Sequence, residues 1–261
     1  MARGRTQSQL VRVFADGDSR RIPDQVIVEE PLEVRLDGAL VTTTMRTPGN
    51  DFELAVGFCC TDGLLGGAPV VGVRYCATGA PVDTAFNVVS VDTGGQAPRP
   101  TPRLTTTTSS CGWCGTDAIE QLAGQLTPLS GEVTFDPSVL AGIPEQVQRR
   151  QELFEATGGV HAAATFTANG EVLAVREDIG RHNAVDKLVG RLLLDGALPA
   201  TDLGLFVSGR TSFEIVQKAW AAGFRAVVAV SAPSSLAVET ARRAGIVLAG
   251  FARRERLNVY T

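Results

Sequence analysis

Hydrophobic and polar residues alternate with a period of two along much of the N-terminal part of the chain, a pattern typical of β-strands. Asp37-Gly38 predicts a tight hairpin turn between two of these strands. After the loop Thr47–Asp51, Asp51 is expected to cap a helix at 52–60. The strands predicted in this part of the chain are Gln25–Glu30, Leu32–Leu36, Ala39–Met45, Val70–Cys76 and Ala85–Val91.

The C-terminal half alternates strands with longer helical stretches, which predicts a helix-covered, largely parallel sheet. The predicted order is helix 137–157, strands His161–Thr167 and Val172–Arg176, helix Asn183–Leu194, strand Leu203–Val207, helix Ser212–Ala222, strand Ala226–Ser231, helix Ser234–Ala244 and strand Ile246–Phe251. This order favours an α/β fold with a three-layer α/β/α domain at residues 131–261. A smaller N-terminal α+β domain is expected at residues 1–130.

Composition narrows the functional classes. The 261 residues carry a net charge of −4, which argues against a general nucleic-acid binder. The charged N-terminal residues are followed by no apolar stretch, and no window is apolar enough to span a bilayer. A cytoplasmic protein without membrane association is therefore expected. Five cysteines, an odd number, do not suggest a disulfide framework.

The strongest candidate chemistry is the pair Cys111 and Cys114, which follows a Thr/Pro-rich stretch and precedes a predicted helix beginning near Thr116. A thiol close to a helix N-terminus meets the positive end of the helix dipole, and this favours the thiolate. A thiolate on a mobile loop can accept sulfur from a persulfide donor and pass it on, and the second cysteine can resolve the product as a disulfide.

Two other interpretations of this pair stay open at this point. The first interpretation is that the pair supplies two of the four ligands of a zinc site. However, neither a second Cys-x-x-Cys nor a pair of closely spaced histidines accompanies it. The pair also resembles a thioredoxin-type redox centre, although such pairs directly follow a strand rather than a Thr/Pro-rich loop, and a merely structural pair is the remaining alternative. The remaining cysteines, Cys59, Cys60 and Cys76, are expected to be small buried hydrophobic residues.

Three predicted strand-to-helix turns suit an anionic ligand. They are 178–183, 208–212 and 231–235, and ligands of open α/β sheets bind where strands end at their carboxyl side. Free N–H groups at helix starts bind phosphate, and Arg181 and Arg210 add bidentate donors. The candidate ligand-binding residues of the first two turns are Arg181, His182, Ser208, Gly209 and Arg210. The alternative is that small residues and arginines are simply common at helix starts and surfaces.

The C-terminal segment adds a second cluster of candidates. Arg253, Arg254 and Arg256 surround a final predicted strand, and Phe251 and Tyr260 are available for stacking, which together suit a phosphate-bearing nucleotide. His161 is a weaker candidate at the start of its strand. Asp178 and Asp186 are interpreted as residues that cap or solvate their helix.

These motifs together resemble the FdhD family, the sulfurtransferases required for formate dehydrogenase activity, over nearly the whole chain. The resemblance rests on the segments 46–58, Cys111 with Cys114, 159–163, 177–187, 208–210, Gly250-Phe251 and 258–261. Trp113 departs from the smaller residue expected between the cysteines. The family's second domain resembles cytidine deaminases in fold, so the resemblance implies a cytidine-deaminase-like C-terminal domain.

The resemblance also implies a reaction. A cysteine desulfurase passes sulfur to the cysteine loop, where Cys111 carries the persulfide and Cys114 assists. The sulfur then goes to a bound molybdenum bis(molybdopterin guanine dinucleotide) client cofactor before its insertion into formate dehydrogenase. The residues implied to lie against the guanine dinucleotide are Phe251, Ala252, Arg253, Arg254, Glu255 and Arg256. The resemblance implies no intrinsic metal, and it implies that the protein forms a homodimer.

The rival functions are a zinc deaminase, a non-catalytic cofactor chaperone and a zinc-binding structural module. Zinc deaminases need His-x-Glu at one helix start and Pro-Cys-x-x-Cys at the next, but the corresponding segments here are 181–184 and 208–212, which have neither the glutamate nor the cysteines. A non-catalytic cofactor chaperone and a zinc-binding structural module remain as alternatives to sulfur transfer.

Overall fold

A computed structural model describes residues 4–76, 86–100, 127–131 and 133–261. The N-terminal half begins with an antiparallel hairpin of β1 (Thr6–Ala15) and β2 (Asp18–Ile27), most of whose side chains are exposed. A four-stranded sheet follows, in the order β4-β3-β6-β5. Its strands are β3 (Glu30–Leu36), β4 (Ala39–Arg46), β5 (Gly72–Tyr75) and β6 (Val88–Asp92), and helix α1 (Asp51–Thr61) packs against it.

The C-terminal half contains a six-stranded sheet in the order β12-β11-β10-β9-β7-β8. Its strands are β7 (His161–Thr167), β8 (Val172–Asp178), β9 (Leu203–Val207), β10 (Ala226–Ala229), β11 (Val247–Arg253) and β12 (Arg256–Val259). Helices α4 (Arg181–Leu194), α5 (Phe213–Ala222) and α6 (Ser235–Ala244) form one apolar core with this sheet. Helix α2 (Pro137–Gln148) forms another core, and the short helix α3 (Glu152–Thr157) follows it.

This mixed α/β architecture agrees with the predicted fold class in its element order. The division at residue 130 and the likeness to cytidine deaminases stay predictions. In the described part of the chain, no helix is long and apolar enough to cross a membrane.

Four local predictions were wrong or incomplete. Asp51 does not cap α1, because its carboxylate binds the guanidinium of Arg46 instead. Asn50 occupies the cap position, in a left-handed conformation and without a side-chain cap bond. The helix predicted at 137–157 is interrupted by residues 149–151. The sheet is mixed rather than largely parallel, because only two of its five strand pairs, β9 with β10 and β10 with β11, are parallel. The hairpin of β1 and β2 was not predicted as a unit.

Two glycines hold the halves of the protein together. Helix α1 crosses α4 at Gly57 and Gly190, where the backbones lie so close that a Cβ atom at Gly190 would be 1.8 Å from the carbonyl oxygen of Glu53. A Cβ atom at Gly57 would be 1.8 Å from the carbonyl oxygen of Asp186. Only glycine permits this approach, so the helix crossing depends on both residues.

A buried ion pair lies beside this crossing. The Nζ atom of Lys218 in α5 is 2.8 and 3.0 Å from the two carboxylate oxygens of Asp186, and it donates to Thr61 Oγ1 of α1 at 2.8 Å. Burial disfavours the charged ammonium, but the carboxylates of Asp186 and Asp62 outweigh burial and raise the pKa of Lys218. Asp186 is therefore not a solvated surface residue, as the sequence suggested, but the buried partner of a lysine on another helix.

A second buried cluster ties the loop after β4 to the start of α4. Lys187 Nζ lies 2.7 Å from Asp178 Oδ2 and donates to the carbonyl oxygen of Thr47 at 2.9 Å. Asp178 also accepts the backbone N–H groups of Thr47 and Gly180 and the side-chain amide of Asn183. The segments 46–58 and 177–187, which carried part of the family resemblance, thus bind each other across the two halves.

Candidate functional site

One edge of the six-stranded sheet collects most of the predicted ligand-binding segments. Strands β9, β10 and β11 are parallel, so their carboxyl ends at Val207, Ala229 and Arg253 lie on the same side. Strand β7 runs antiparallel to β9, and this places its first residue, His161, at the same edge. Asp178, at the carboxyl end of β8, is paired with His161. The edge therefore joins residues far apart in sequence.

A cavity of about 870 Å³ opens at this edge. Its floor includes His161, Ser208 and Val230, and the turn after β11 contributes Arg253 and Arg254 to one wall. Another part of the lining comes from α2, α3 and the residues between them, and its polar and aromatic members are Glu145, Gln148, Gln151 and Phe154. A second cavity of about 640 Å³ shares Val230, Arg253 and Arg254 with the first and continues along Phe251, Glu255, Arg256 and Asn258.

His161 and Ser208 form a polar pair on the cavity floor. Ser208 Oγ accepts the backbone N–H of Ala162 at 2.9 Å and lies 3.2 Å from His161 Nδ1. Burial lowers the pKa of His161, and the positive charge of Arg181 lowers it further. The imidazole is therefore held neutral near pH 7, as a hydrogen-bonding group whose proton position a ligand can change.

The start of α4 contacts the start of α5 beside this floor. His182 Nε2 lies 2.9 Å from Glu214 Oε2, and the hydrogen bond from His182 lowers the pKa of that carboxyl group against the effect of burial. Gly209 has no side chain to separate it from its neighbours: a Cβ atom there would be 3.4 Å from His161 Cε1 and 3.5 Å from Arg181 Cδ. The two predicted turns are thus in direct contact.

The arginine-bearing turn is shaped by a bulge. Strands β11 and β12 pair regularly at Gly250 and Asn258, then shift register before Arg253 and Arg256. Phe251 in the bulge and Arg254 in the turn both have positive φ values, 54° and 53°. Within the described parts of the chain, Arg253, Arg254 and Arg256 form no ion pair, although all three are exposed at the cavities. Unpaired guanidinium groups of this kind suit a phosphate or pyrophosphate.

The structure brings together most of the predicted ligand-binding residues. Ser208, Ala252, Arg253 and Arg254 line the larger cavity, and Phe251, Glu255 and Arg256 line the smaller one. Gly209, Arg181 and His182 lie behind the floor, and Arg210 is exposed and lines neither cavity. Cys111 and Cys114, with Trp113 between them, lie outside the described residues. The roles assigned to all these residues stay predictions.

Sequence reasoning missed the wall formed by α2 and α3. Glu145, Gln148, Gln151 and Phe154 recur every third residue, which places polar groups repeatedly on one side of a helical stretch. That spacing was available as a signal, but the stretch was interpreted only as a helix ending at Gly158-Gly159. Both glycines also line the larger cavity.

Cys59 and Cys60 are poor candidates for sulfur chemistry. Cys59 is buried in the N-terminal core, and burial raises its pKa. Burial also raises the pKa of Cys60, to about 11, so that its thiol is protonated near neutral pH. No cluster of three or more His, Cys, Asp or Glu side chains is arranged to hold a metal ion among the described residues.

Comparison with known proteins gives a consistent result. The family model described as FdhD/NarQ family matches residues 27–261. The sulfur carrier protein FdhD of Streptomyces avermitilis is 46% identical over 100% of this chain and 95% of its own length, and that of Nocardia farcinica is 48% identical over 97% and 91%. The crystal structure of a protein described as a formate dehydrogenase accessory protein, from Desulfotalea psychrophila, covers 99% of this chain and 97% of its own with a TM-score of 0.77 at 23% identity.

The crystal structure shares the fold, and the relatives share nearly half of their residues with this chain along almost its whole length. The segments that bind the two halves to each other and those that line the sheet edge both fall within the range matched by the family model. The chain belongs to the FdhD/NarQ family.

Proposed function

We propose that this protein is a sulfur carrier that acts as a sulfurtransferase in the maturation of formate dehydrogenase. The proposal is supported by its family and by its relatives, which are named sulfur carrier proteins. The single structural observation that carries it is the cavity at the sheet edge, where unpaired arginines face a floor made by His161 and Ser208. Such a site can hold a large phosphate-bearing cofactor while sulfur is delivered to it.

The sulfur-carrying step is assigned to the Cys111 and Cys114 pair. The Cys111 thiolate attacks the outer sulfur of a desulfurase persulfide, so that a new S–S bond forms and the desulfurase cysteine leaves as a thiolate. Attack by the Cys114 thiolate on the inner sulfur of Cys111 then forms a disulfide and releases the outer sulfur as hydrosulfide. The two thiols supply the two electrons, and a cellular dithiol reductant restores them.

The client of this sulfur is proposed to be molybdenum bis(molybdopterin guanine dinucleotide), whose metal is the sulfur acceptor. The residues of the cavity fit such a group on three counts. The volume is that of a site for a large ligand, the arginine turn offers donors for its pyrophosphates, and the lining from α2 and α3 offers polar groups and an aromatic ring for a base. The cofactor-binding residues proposed are Phe251–Arg256, Arg181, His182 and 208–210.

A cysteine desulfurase is the proposed donor and formate dehydrogenase the final recipient, in the cytoplasm, with the protein acting as a homodimer. The domain division is proposed at residue 130, and the C-terminal domain is proposed to be related to cytidine deaminases.

Mass spectrometry of the intact protein tests the sulfur-carrying step. After incubation with a cysteine desulfurase and cysteine, the wild-type chain is expected to gain the mass of one sulfur atom, which a dithiol should remove. Cys111→Ala should gain none. Cys76→Ala is the matched control, because it removes a partly exposed cysteine outside the proposed site and should gain sulfur normally. Equal sulfur loading of Cys111→Ala and the wild type would overturn the assignment.

Complementation separates sulfur transfer from passive cofactor carriage. A strain that lacks its own maturation protein should recover formate dehydrogenase activity with the wild type and with Cys76→Ala, but not with Cys111→Ala. If the variant lacking both Cys111 and Cys114 restores activity, the protein carries the cofactor without transferring sulfur.

A further inference from the structure

The hairpin of β1 and β2 forms a sheet of its own, joined to the rest of the described chain at its base. There Arg5 lies beside Gly49, and β2 packs against α3. A Cβ atom at Gly159 would be 3.4 Å from Ile27 Cγ2, and Gly159 itself lines the larger cavity. The hairpin therefore begins directly beside that cavity.

One face of the hairpin exposes apolar side chains next to paired positive charges. Leu10 and Phe14 are 67% and 74% exposed, and Arg12 lies between them on the same face. The register places Arg12 directly opposite Arg21 of β2, and neither arginine forms an ion pair with a described residue. Like charges directly opposite each other destabilise a strand pair, and a two-stranded hairpin is only marginally stable in water. This face is therefore better suited to a partner than to the hairpin's own folding.

The backbone of β1 is open along its outer edge. Leu10 is paired with Pro23, and because proline has no N–H these two residues cannot exchange both bonds of a hydrogen-bonded pair. The two kinds of pair alternate along an antiparallel ladder, so every second residue of β1 directs its N–H and C=O groups away from β2. The residues concerned are Ser8, Leu10, Arg12 and Phe14, and their outward groups have no backbone partner among the described residues.

The outer edge of β2 is less open. Pro23 removes a donor near its middle, as proline does on strands protected against pairing. The N–H group of Gln25 donates to Asp24 Oδ1 at 2.9 Å. Strand β1 contains no proline, so an extended polypeptide can add to β1 more readily than to β2.

Charge selects the kind of polypeptide that fits this edge. Thr6–Ala15 contains no acidic residue, so a second copy of β1 would bring another arginine and no carboxylate. Residues 4–27 carry four arginines, three aspartates and no lysine, a balance too even to attract a nucleic acid or an anionic membrane. Exposed aromatic residues and arginines are instead typical of protein interfaces. The fitting partner is a strand of another protein with carboxylates beside Arg12 and Arg21.

We propose that β1 binds an extended acidic segment of formate dehydrogenase as a third strand, and that this contact holds the recipient enzyme beside the larger cavity. The outward backbone groups of β1 bind the added strand, and Arg12 and Arg21 meet its carboxylates. Leu10 and Phe14 cover its apolar side chains. The inference rests on the proposed function, which makes formate dehydrogenase the recipient of a cofactor held in that cavity.

Biolayer interferometry of the full chain with purified, cofactor-free formate dehydrogenase tests the contact. Arg12→Glu should weaken binding at least about tenfold, because it replaces attraction for the acidic strand by repulsion. The same variant should unfold at the wild-type temperature or higher, since it places opposite charges in the pair with Arg21. Arg20→Glu is the matched control: Arg20 is paired with Val13 on the other face of the hairpin and should bind as the wild type does.

Equal weakening by Arg12→Glu and Arg20→Glu would show a general attraction between charges, such as that of a membrane or a nucleic acid, and would overturn the added strand. Undiminished binding by Arg12→Glu would overturn it as well.

Two proline variants distinguish the edges of the hairpin. Ser8 and Gln25 are directly opposite each other, and each directs its N–H group outward, one at each edge. Ser8→Pro removes a donor from the β1 edge and should weaken binding of the enzyme at least about tenfold, whereas Gln25→Pro should leave it unchanged. The reverse result, or no effect of Ser8→Pro, would overturn the assignment to β1.

Light scattering tests whether a second copy of the chain occupies the same edge. The wild type and Arg12→Glu should have the same molecular mass in solution. A smaller mass for Arg12→Glu would show that a second copy pairs with β1, and it would overturn the assignment to formate dehydrogenase.

Sulfur uptake from a desulfurase separates this inference from the proposed function. Arg12→Glu and Ser8→Pro should take up sulfur as the wild type does. Loss of uptake in Arg12→Glu but not in Arg20→Glu would assign β1 to the desulfurase and overturn the inference. If the wild type takes up sulfur but does not bind the enzyme, the inference alone fails. If the wild type takes up no sulfur, the proposed sulfur transfer fails, while the binding measurements still decide the role of β1.

Discussion

Gly57 of α1 lies against Gly190 of α4 at the point where the two halves of the protein meet. Each glycine takes the place of a side chain that would collide with a backbone carbonyl group of the other helix, that of Asp186 or of Glu53. The crossing brings Thr61 of α1 within hydrogen-bond distance of Asp186 and Lys218. The close helix contact therefore places Thr61 beside the buried ion pair of Lys218 and Asp186.

Gly190→Ala is expected to lower the free energy of unfolding by about 3 kcal/mol, because a methyl group cannot fit 1.8 Å from the Glu53 carbonyl oxygen without separating the helices. Gly142→Ala is the control, since a Cβ atom at this position of α2 meets nothing within 4 Å. It should raise the free energy of unfolding by about 0.5–1 kcal/mol, as replacement of glycine in a helix generally does. Denaturant unfolding measures both. Similar effects of the two substitutions would contradict the close crossing.

Lys218→Met should lower the free energy of unfolding by about 3–5 kcal/mol, because it leaves the Asp186 carboxylate buried without its cation. The comparison is Arg191→Ala, which removes a solvent-exposed pair with Asp195 and should change the free energy of unfolding far less. Adding Asp186→Asn to Lys218→Met should recover part of the loss, since the unpaired charge disappears. If the double variant is no more stable than Lys218→Met, the ion pair is not the source of the effect.

The pKa of His161 is lowered in the folded protein, so protonation of its ring works against folding. Its contribution to stability is present above the unfolded pKa of 6.5 and is lost as the pH falls through the lower folded value. His161→Gln cannot be protonated, so its stability should fall less than that of the wild type between about pH 7 and about pH 5. Proton NMR of the wild type should show the ring titrating below 6.5. Titration above that value would contradict the burial of the ring against Arg181.

Arg253→Gln should weaken binding of GDP about tenfold, because it removes a charged donor that lines both cavities. The salt dependence of binding should also decrease, since one attraction to phosphate is lost. Arg20→Gln, on the exposed β1–β2 hairpin, is the charge-matched control and should bind GDP as the wild type does. Equal binding by both variants would show that the arginine turn does not hold the phosphates.

Elements with a strong local signal were predicted well. Strand β9 has the predicted bounds Leu203–Val207, because its residues are buried on both faces and therefore form a continuous apolar run. The turn at Asp37-Gly38 is also confirmed, with both residues at positive φ, a conformation that Gly and Asp tolerate.

Strand direction was predicted less well, because it is a property of the whole sheet. The hairpin of β7 and β8 was recognised, but nothing local to it indicates that β7 inserts beside β9 in the opposite direction. The same limit applies to Lys187 and Lys218, which look like ordinary surface residues until the partners of their ammonium groups are known.

The residues of the candidate site were also predicted only in part. Ser208 and the arginine turn were identified because small residues and arginines at strand ends have a recognisable chemistry. Gln151 and Phe154 were missed because their significance depends on lining the same cavity as that turn, and only the tertiary fold creates this cavity.

The interlocked halves also limit how sequences of this family can be exchanged. Thr47 and Thr61 of the first half supply hydrogen-bond partners to Lys187 and Lys218 of the second. A chimaera that joins the first half of one relative to the second half of another therefore inherits a working interface only if both parents keep the same glycines and the same pairing of lysine, aspartate and threonine. Recombination inside this gene is constrained at the contact between the halves, even though the described residues that line the cavity all belong to the second half.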